Sequence, residues 1–354
     1  MLWGAKRSVR RWALALLIAA TALPFAVLIF GGGVIYPEAP ESPPRAAVGV
    51  PRPFSPDGVW NHPLADDAAV DPASKRLVAG LAAEAATEQR ERTGPFIQTR
   101  AYGVAVYRVP RDQPNVRVQL DPQAAYADGL RAALRAVPVP DNARPAAGTD
   151  GHLVVWQAST DRMWEFWRAR RAADGWHAAW GGAMQDVSRN PGYFSSAAWP
   201  GAPNTWGASA SGLPVLAGLI TPSELAAGHI DHALAIALPA PRAGVVAFPA
   251  QRTDGTDPSP DAIPEGARLR LDPGLDLDRL GLPAPALVIA RAAQRYGLLV
   301  RDRTLHAIAF YAEDPTPAGQ DPYPLLFDGL SPTDLLADFP WDRLRVMRMQ
   351  LRAA

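Results

Sequence analysis

The chain has 354 residues, 48% hydrophobic and 20% charged, with a formal net charge of zero and no cysteine. That composition suits one large globular domain or two small ones, and its charge balance gives nothing to support nucleic-acid binding. Without cysteine there are no disulfides, thiolate metal sites or catalytic thiols. The 37 prolines and 29 glycines favour many turns over long helices.

Residues 1–36 read as a targeting segment. Lys6, Arg7, Arg10 and Arg11 precede a run of 19 uncharged residues from Trp12 to Phe30, long enough to span a bilayer. The basic side chains stay in the cytoplasm, which places the bulk of the chain outside the cell membrane. A signal peptide cleaved after the small residues at 19–22, giving a secreted protein, is the competing reading. Residues 37–53 are proline-rich and predict a stiff spacer.

The extracytoplasmic domain is expected over 54–354. Asp71 and Pro72 open a helix through "ASKRLVAGLAAEAATEQRER". Strands follow at 102 ("YGVAVYRV"), 115 ("NVRVQL"), 152 ("HLVVWQ") and 163 ("MWEFWRA"). A short helix starts at the Thr221 cap, with Pro222 first and Glu224 three residues on, and stops at Gly228. Further strands are read at 232 ("HALAIAL"), 244 ("GVVAF"), 267 ("ARLRL"), 297 ("GLLVRD") and 306 ("HAIAFYA"). A third helix, "APALVIARAAQRYG", closes at Gly297. The class is mainly β, a β-sandwich or jelly-roll-like domain with a few helices behind one N-terminal transmembrane helix.

The strands at 152–157 and 163–168 predict a hairpin pairing Val154 with Glu165 and Trp156 with Met163. Side chains alternate, so Leu153, Val155, Trp164 and Phe166 form an apolar core face. His152, Trp156, Met163, Glu165 and Trp167 fall on the other face, expected to be concave and open. Indole rings that stack sugar C–H surfaces and a carboxylate beside them suit a glycan. A Glu against Trp also has the raised pKa of a general acid. Glu165 is the candidate acid or base, Asp150 its carboxylate partner, and His152 and His232 orient substrate. Trp156 and Trp167 are stacking platforms. Seven of the 11 tryptophans lie between 156 and 206, and the aromatic, charge-poor loop 188–212 adds Trp199 and Trp206. The alternative for this face is a second packed layer with Glu165 paired to an arginine.

His229 and His232 have His-x-x-His spacing, but on a strand residues three apart point oppositely, so a satisfied core histidine outweighs a metal ligand. The opposite side of that strand, Ala233, Ala235 and Ala237, leaves room for a helix or a ligand. "GASASG" at 207–212 has Ser211 where a nucleophile elbow needs glycine. No cofactor is expected, with structural calcium at Asp254, Asp257 and Asp261 as the alternative.

The motifs "GTDGHLVVWQ…WEFW", "ASASGLPVLAGLITPSELAAGHIDHALAIALP", "FPA" and "PEGARLRLDP…RAAQRYGLLVRD" resemble those of a group of secreted bacterial and plant proteins without an assigned reaction. The resemblance spans roughly residues 54–312. Asp150, His152, Glu165, Ser209, Gly212, Glu224, Gly228, His232 and Arg268 match its recurring positions. Arg268 is carried over on that basis as a substrate contact. The group's pattern has paired histidines after the aspartate where this chain has Gly151 and His152. His229 matches no recurring position, which favours His232 over a two-histidine metal site. The expected function is to act on or bind cell-envelope polysaccharide, as a glycoside hydrolase or polysaccharide lyase using Glu165. A non-catalytic glycan-binding or structural envelope protein is the alternative.

Overall fold

A computed structural model of the chain describes residues 52–122, 124, 127–201 and 206–354. The expected membrane anchor and nearly all of the proline-rich spacer lie outside the described residues. Among the described residues no helix is long and apolar enough to cross a membrane. The fold is mostly β-sheet with few helices: among the described residues there are 15 strands in four sheets and five α-helices.

The largest sheet has six strands, in the order Phe96–Gln98, Ala309–Tyr311, Leu234–Leu238, Leu298–Arg303, Arg268–Leu271 and Leu344–Val346. It is mixed: the first pair and the Leu234–Leu238 pairing with Leu298–Arg303 are parallel. A four-stranded sheet holds Ala105–Arg108, Leu153–Gln157, Arg162–Trp167 and Trp180–Gln185, the first pair parallel and the rest antiparallel. A three-stranded and a two-stranded sheet complete the set.

Strand Leu234–Leu238 shows how the layers arise. Leu234, Ile236 and Leu238 join one apolar cluster with helices Ser74–Glu91 and Ala284–Arg295. Ala233, Ala235 and Ala237 join a second cluster with the hairpin side chains Val154, Trp156 and Met163. Period-2 alternation thus gives one strand a leucine-rich face under helices and a small face toward the other sheet. The space above the alanines is filled by the chain itself: Ala235 N–H donates to Gly218 O at 2.8 Å. Gly218 has φ +69°, and a Cβ there would stand 2.5 Å from Ala235 N, so only glycine fits.

The hairpin register is as read from the sequence: Val154 opposes Glu165, Trp156 opposes Met163, and a four-residue loop over 158–161 joins the strands. The helix after Asp71 runs Ser74–Glu91, with Asp71 Oδ1 accepting from Ala73 N–H at 2.9 Å. The capping-box helix is Pro222–Ala227, with Thr221 Oγ1 accepting from Glu224 N–H.

Candidate functional site

Both faces of the hairpin are buried, which corrects the expectation that one forms an open concave surface. Leu153, Val155, Trp164 and Phe166 are core, as expected, but Trp156, Met163 and Glu165 are buried as well. Glu165 is 0% exposed. Its Oε1 accepts Ala208 N–H at 2.7 Å and its Oε2 accepts Val215 N–H at 2.9 Å. The carboxylate therefore pins the 206–217 segment against the hairpin. Burial pushes its pKa up to about 7, against the backbone donors and the nearby Arg301 charge that favour ionisation. Opposite Glu165 stands Gly182, where a Cβ would lie 2.4 Å from Phe194 Cζ, so that ring packs beside the carboxylate.

The indoles divide between the faces. Trp199 is half-buried against Trp164, at 6.3 Å between centroids, on the face away from Glu165. Trp156 and Trp206 are buried, so neither presents an open ring face. Trp167 is half-buried, and its Nε1–H donates to Asp150 Oδ1 at 3.1 Å, while the Arg168 guanidinium lies 4.3 Å over its ring. Of the predicted platforms, Trp167 is the one beside a predicted carboxylate.

Asp150 is half-buried, and its charge acts on His152. His152 is buried with no partner on Nδ1. Burial pushes its pKa down to about 4, against Asp150, so the imidazole is neutral at pH 7. The Ala208 backbone, bonded to Glu165, also bonds His152. His232 lies elsewhere. Its Nε2 is 3.0 Å from Glu224 Oε1 and its Nδ1 is 2.9 Å from Ala233 O, a satisfied pair that raises the histidine pKa and lowers that of Glu224. His232 thus braces helix Pro222–Ala227 through Glu224, apart from the other candidate residues. Arg268, half-buried, lies on a strand of the six-stranded sheet, and burial lowers its pKa to about 10.

Sequence reading missed the contribution of the six-stranded sheet. Strand Leu298–Arg303 has a register shift between Val300 and Asp302, and Asp302 opposes Ala237. Plain alternation would turn Arg301 and Asp302 to opposite faces; the register shift breaks that alternation. Arg301 is fully buried, with Nη1 donating to Val215 O at 2.9 Å and Ala217 O at 3.0 Å and its guanidinium 3.7 Å over the Tyr311 ring. Its Nε and Nη2 have no partner. Asp302 is half-buried, and burial, reinforced by Asp254 and Asp150, pushes its pKa up to about 7 despite Arg301. Sequence alone carries one hint, a charged Arg-Asp-Arg run closing an apolar strand.

Ser209 and Ser211 donate to Leu213 O and Arg301 O, so both hydroxyls brace the segment that Glu165 pins. Of the expected calcium residues, Asp257 Oδ1 accepts Ser259 N–H and Asp261 meets Arg76 at 3.0 Å. Neither joins Asp254, which correct the proposed trio. A cavity of about 610 Å³, lined by Asp71, Ser74, Lys75 and Arg345, lies against helix Ser74–Glu91 and contains none of the candidate site residues.

Comparison with protein-family models, curated proteins and solved structures returns no match. The site is therefore read from its own chemistry.

Proposed function

We propose that the chain is a membrane-tethered, extracytoplasmic protein with a sandwich-like β domain that acts on cell-envelope polysaccharide. Its working surface is the rim formed by Asp150 and Trp167. The observation that carries this reading is the pair behind that rim: a neutral, buried imidazole with an unpartnered Nδ1 beside a half-exposed carboxylate that an indole N–H orients. A neutral imidazole accepts a proton, and an adjacent carboxylate stabilises the imidazolium that forms. Sugar hydroxyls both donate and accept, so they suit orphaned polar atoms, and the Trp167 ring offers an apolar surface. His152 and Asp150 carry acid–base cleavage in this reading. Glu165 holds the segment that shapes the site and does not touch substrate.

A non-catalytic glycan-binding protein is the second reading. It is favoured by Glu165, a carboxyl whose raised pKa would suit an acid, having both oxygens taken by backbone donors. Incubation of the full-length chain in detergent with purified envelope polysaccharides, followed by product analysis and binding measurements, separates the two. Cleavage predicts fragments with the wild type and a loss on the order of a thousandfold in Asp150→Asn, the usual worth of acid–base groups. Binding alone predicts retention without fragments. No retention and no fragments with any envelope polysaccharide overturns both.

A further inference from the structure

We infer that Asp254, Glu265 and Asp302 form a site for a divalent cation that prefers oxygen ligands, calcium. The three carboxylates come from three separate segments: the turn-rich stretch after Arg252, the turn before strand Arg268–Leu271, and the end of strand Leu298–Arg303. One oxygen from each lies within 4.8 Å of the others, and among the described residues this is the one group of three or more potential ligands so placed. Three carboxylates do not converge at that distance without cost. In the absence of a counter-charge they repel, and burial strengthens the repulsion.

The second observation is Glu265 itself. Its side chain is fully buried, and Oε1 has no hydrogen-bond partner. Oε2 accepts a long contact, 3.3 Å, from Asp254 N–H, and the Thr253 side chain also bonds the carboxylate. A buried carboxylate oxygen without a donor costs one to several kcal/mol, and a bound cation removes that cost. Arginines reach the group from its edge: Arg303 Nε lies 3.3 Å from Asp254 Oδ2, and the Arg301 and Arg252 charges act on Asp302. They offset part of the negative charge but leave Oε1 unserved.

The donor set selects the ion. No imidazole or thiolate is present in it, which disfavours zinc and copper. Asp254 is exposed, so water can complete a shell of 6–8 oxygens around calcium, whereas magnesium demands a tighter octahedron. The site ties the stretch after Arg252 to the bulged end of strand Leu298–Arg303, and so to Arg301.

The test is a calcium titration by calorimetry on the full-length chain in detergent after chelator treatment, with thermal unfolding in parallel. The expected result is one ion per chain with Kd at or below about 1 mM, the range of extracellular calcium modules. A rise in melting temperature that a chelator reverses should accompany it. Asp254→Asn, at an exposed position, should weaken binding at least tenfold while the apo protein stays folded by circular dichroism. Asp302→Asn should abolish binding, and Asp257→Asn should leave it unchanged. Absence of binding to folded wild type at millimolar calcium, or binding that Asp254→Asn and Asp302→Asn leave intact, overturns the assignment. Neither result depends on any polysaccharide.

Discussion

Glu165, on a hairpin strand, and Glu265, in the turn before a strand, are both fully buried glutamates, and their surroundings are opposite. Glu165 has a backbone N–H on each oxygen, from Ala208 and Val215. Glu265 has a long contact from Asp254 N–H and a bond from the Thr253 side chain, and its Oε1 has no partner. A third, Glu88, resembles Glu165: both its oxygens accept Ile308 N–H, at 2.9 and 3.0 Å. The lesson is that burial of a carboxylate does not mark a working site. A buried carboxylate whose oxygens are filled by main-chain donors is a strut, and one left with an orphaned oxygen is waiting for a ligand.

The contrast is open to attack by substitution. Glu165→Ala leaves two buried N–H groups without acceptors, at about 1–3 kcal/mol each. It should therefore lower unfolding free energy by about 3 kcal/mol or more in denaturant titration. A loss under about 1 kcal/mol would remove Glu165 from the role of strut. The same measurement on Glu265→Gln in chelator should give a change within about 1 kcal/mol, because the amide keeps an acceptor for Asp254 N–H and no donor to Oε1 is lost. A large loss there would mean that Oε1 has a protein partner.

His152 sharpens the comparison through pH. Its folded pKa, about 4, lies below the unfolded value near 6.5, so its contribution to stability is complete above 6.5 and is lost as pH falls toward 4. The size is about 3 kcal/mol across that window, from 1.36 kcal/mol per pKa unit. Glu165 and Glu88 run the other way: with folded pKa about 7, their contributions are present below about 4.5 and lost as pH rises through 7. His152→Gln should flatten the acid limb of a stability–pH curve and leave the fall between 4.5 and 7 in place. An unchanged acid limb would show that His152 is not held neutral.

Gly182→Ala gives a smaller effect. Its Cβ would collide with Phe194, and overpacking of this kind costs about 1–3 kcal/mol, readable as a lower melting temperature. No change would mean that the wall beside Glu165 is loose.

Much of the local structure was legible in the sequence because it is set by neighbours. The Thr221–Pro222–Glu224 signal and Gly228 bound a helix, and alternation fixed the pairing of Val154 with Glu165. Strand Trp180–Gln185 is not among the strands read from the sequence, since Gly181 and Gly182 interrupt the apolar pattern. Those glycines are explained only by what packs on them, Glu165 O and Phe194. The burial of Trp156 and Glu165 was hidden for a related reason. Period 2 divides side chains between faces but does not say that segment 206–217 covers the second one. The bulge at Arg301 broke the alternation rule itself, so the meeting of Arg301, Asp302, Asp254 and Glu265 could not be read from spacing.

The central claim is that polysaccharide is worked on at Asp150, His152 and Trp167, with Glu165 behind the site as a support. The most direct measurement compares Asp150→Asn, Trp167→Ala and Glu165→Gln with wild type for fragment release from envelope polysaccharide, each variant held below its own melting temperature. The account predicts that Asp150→Asn loses activity by about a thousandfold and Trp167→Ala weakens binding by about tenfold. Folded Glu165→Gln should keep activity within about tenfold of wild type, as expected of a group that transfers no proton to substrate. Full activity in Asp150→Asn, or a thousandfold loss confined to a stably folded Glu165→Gln, would contradict it.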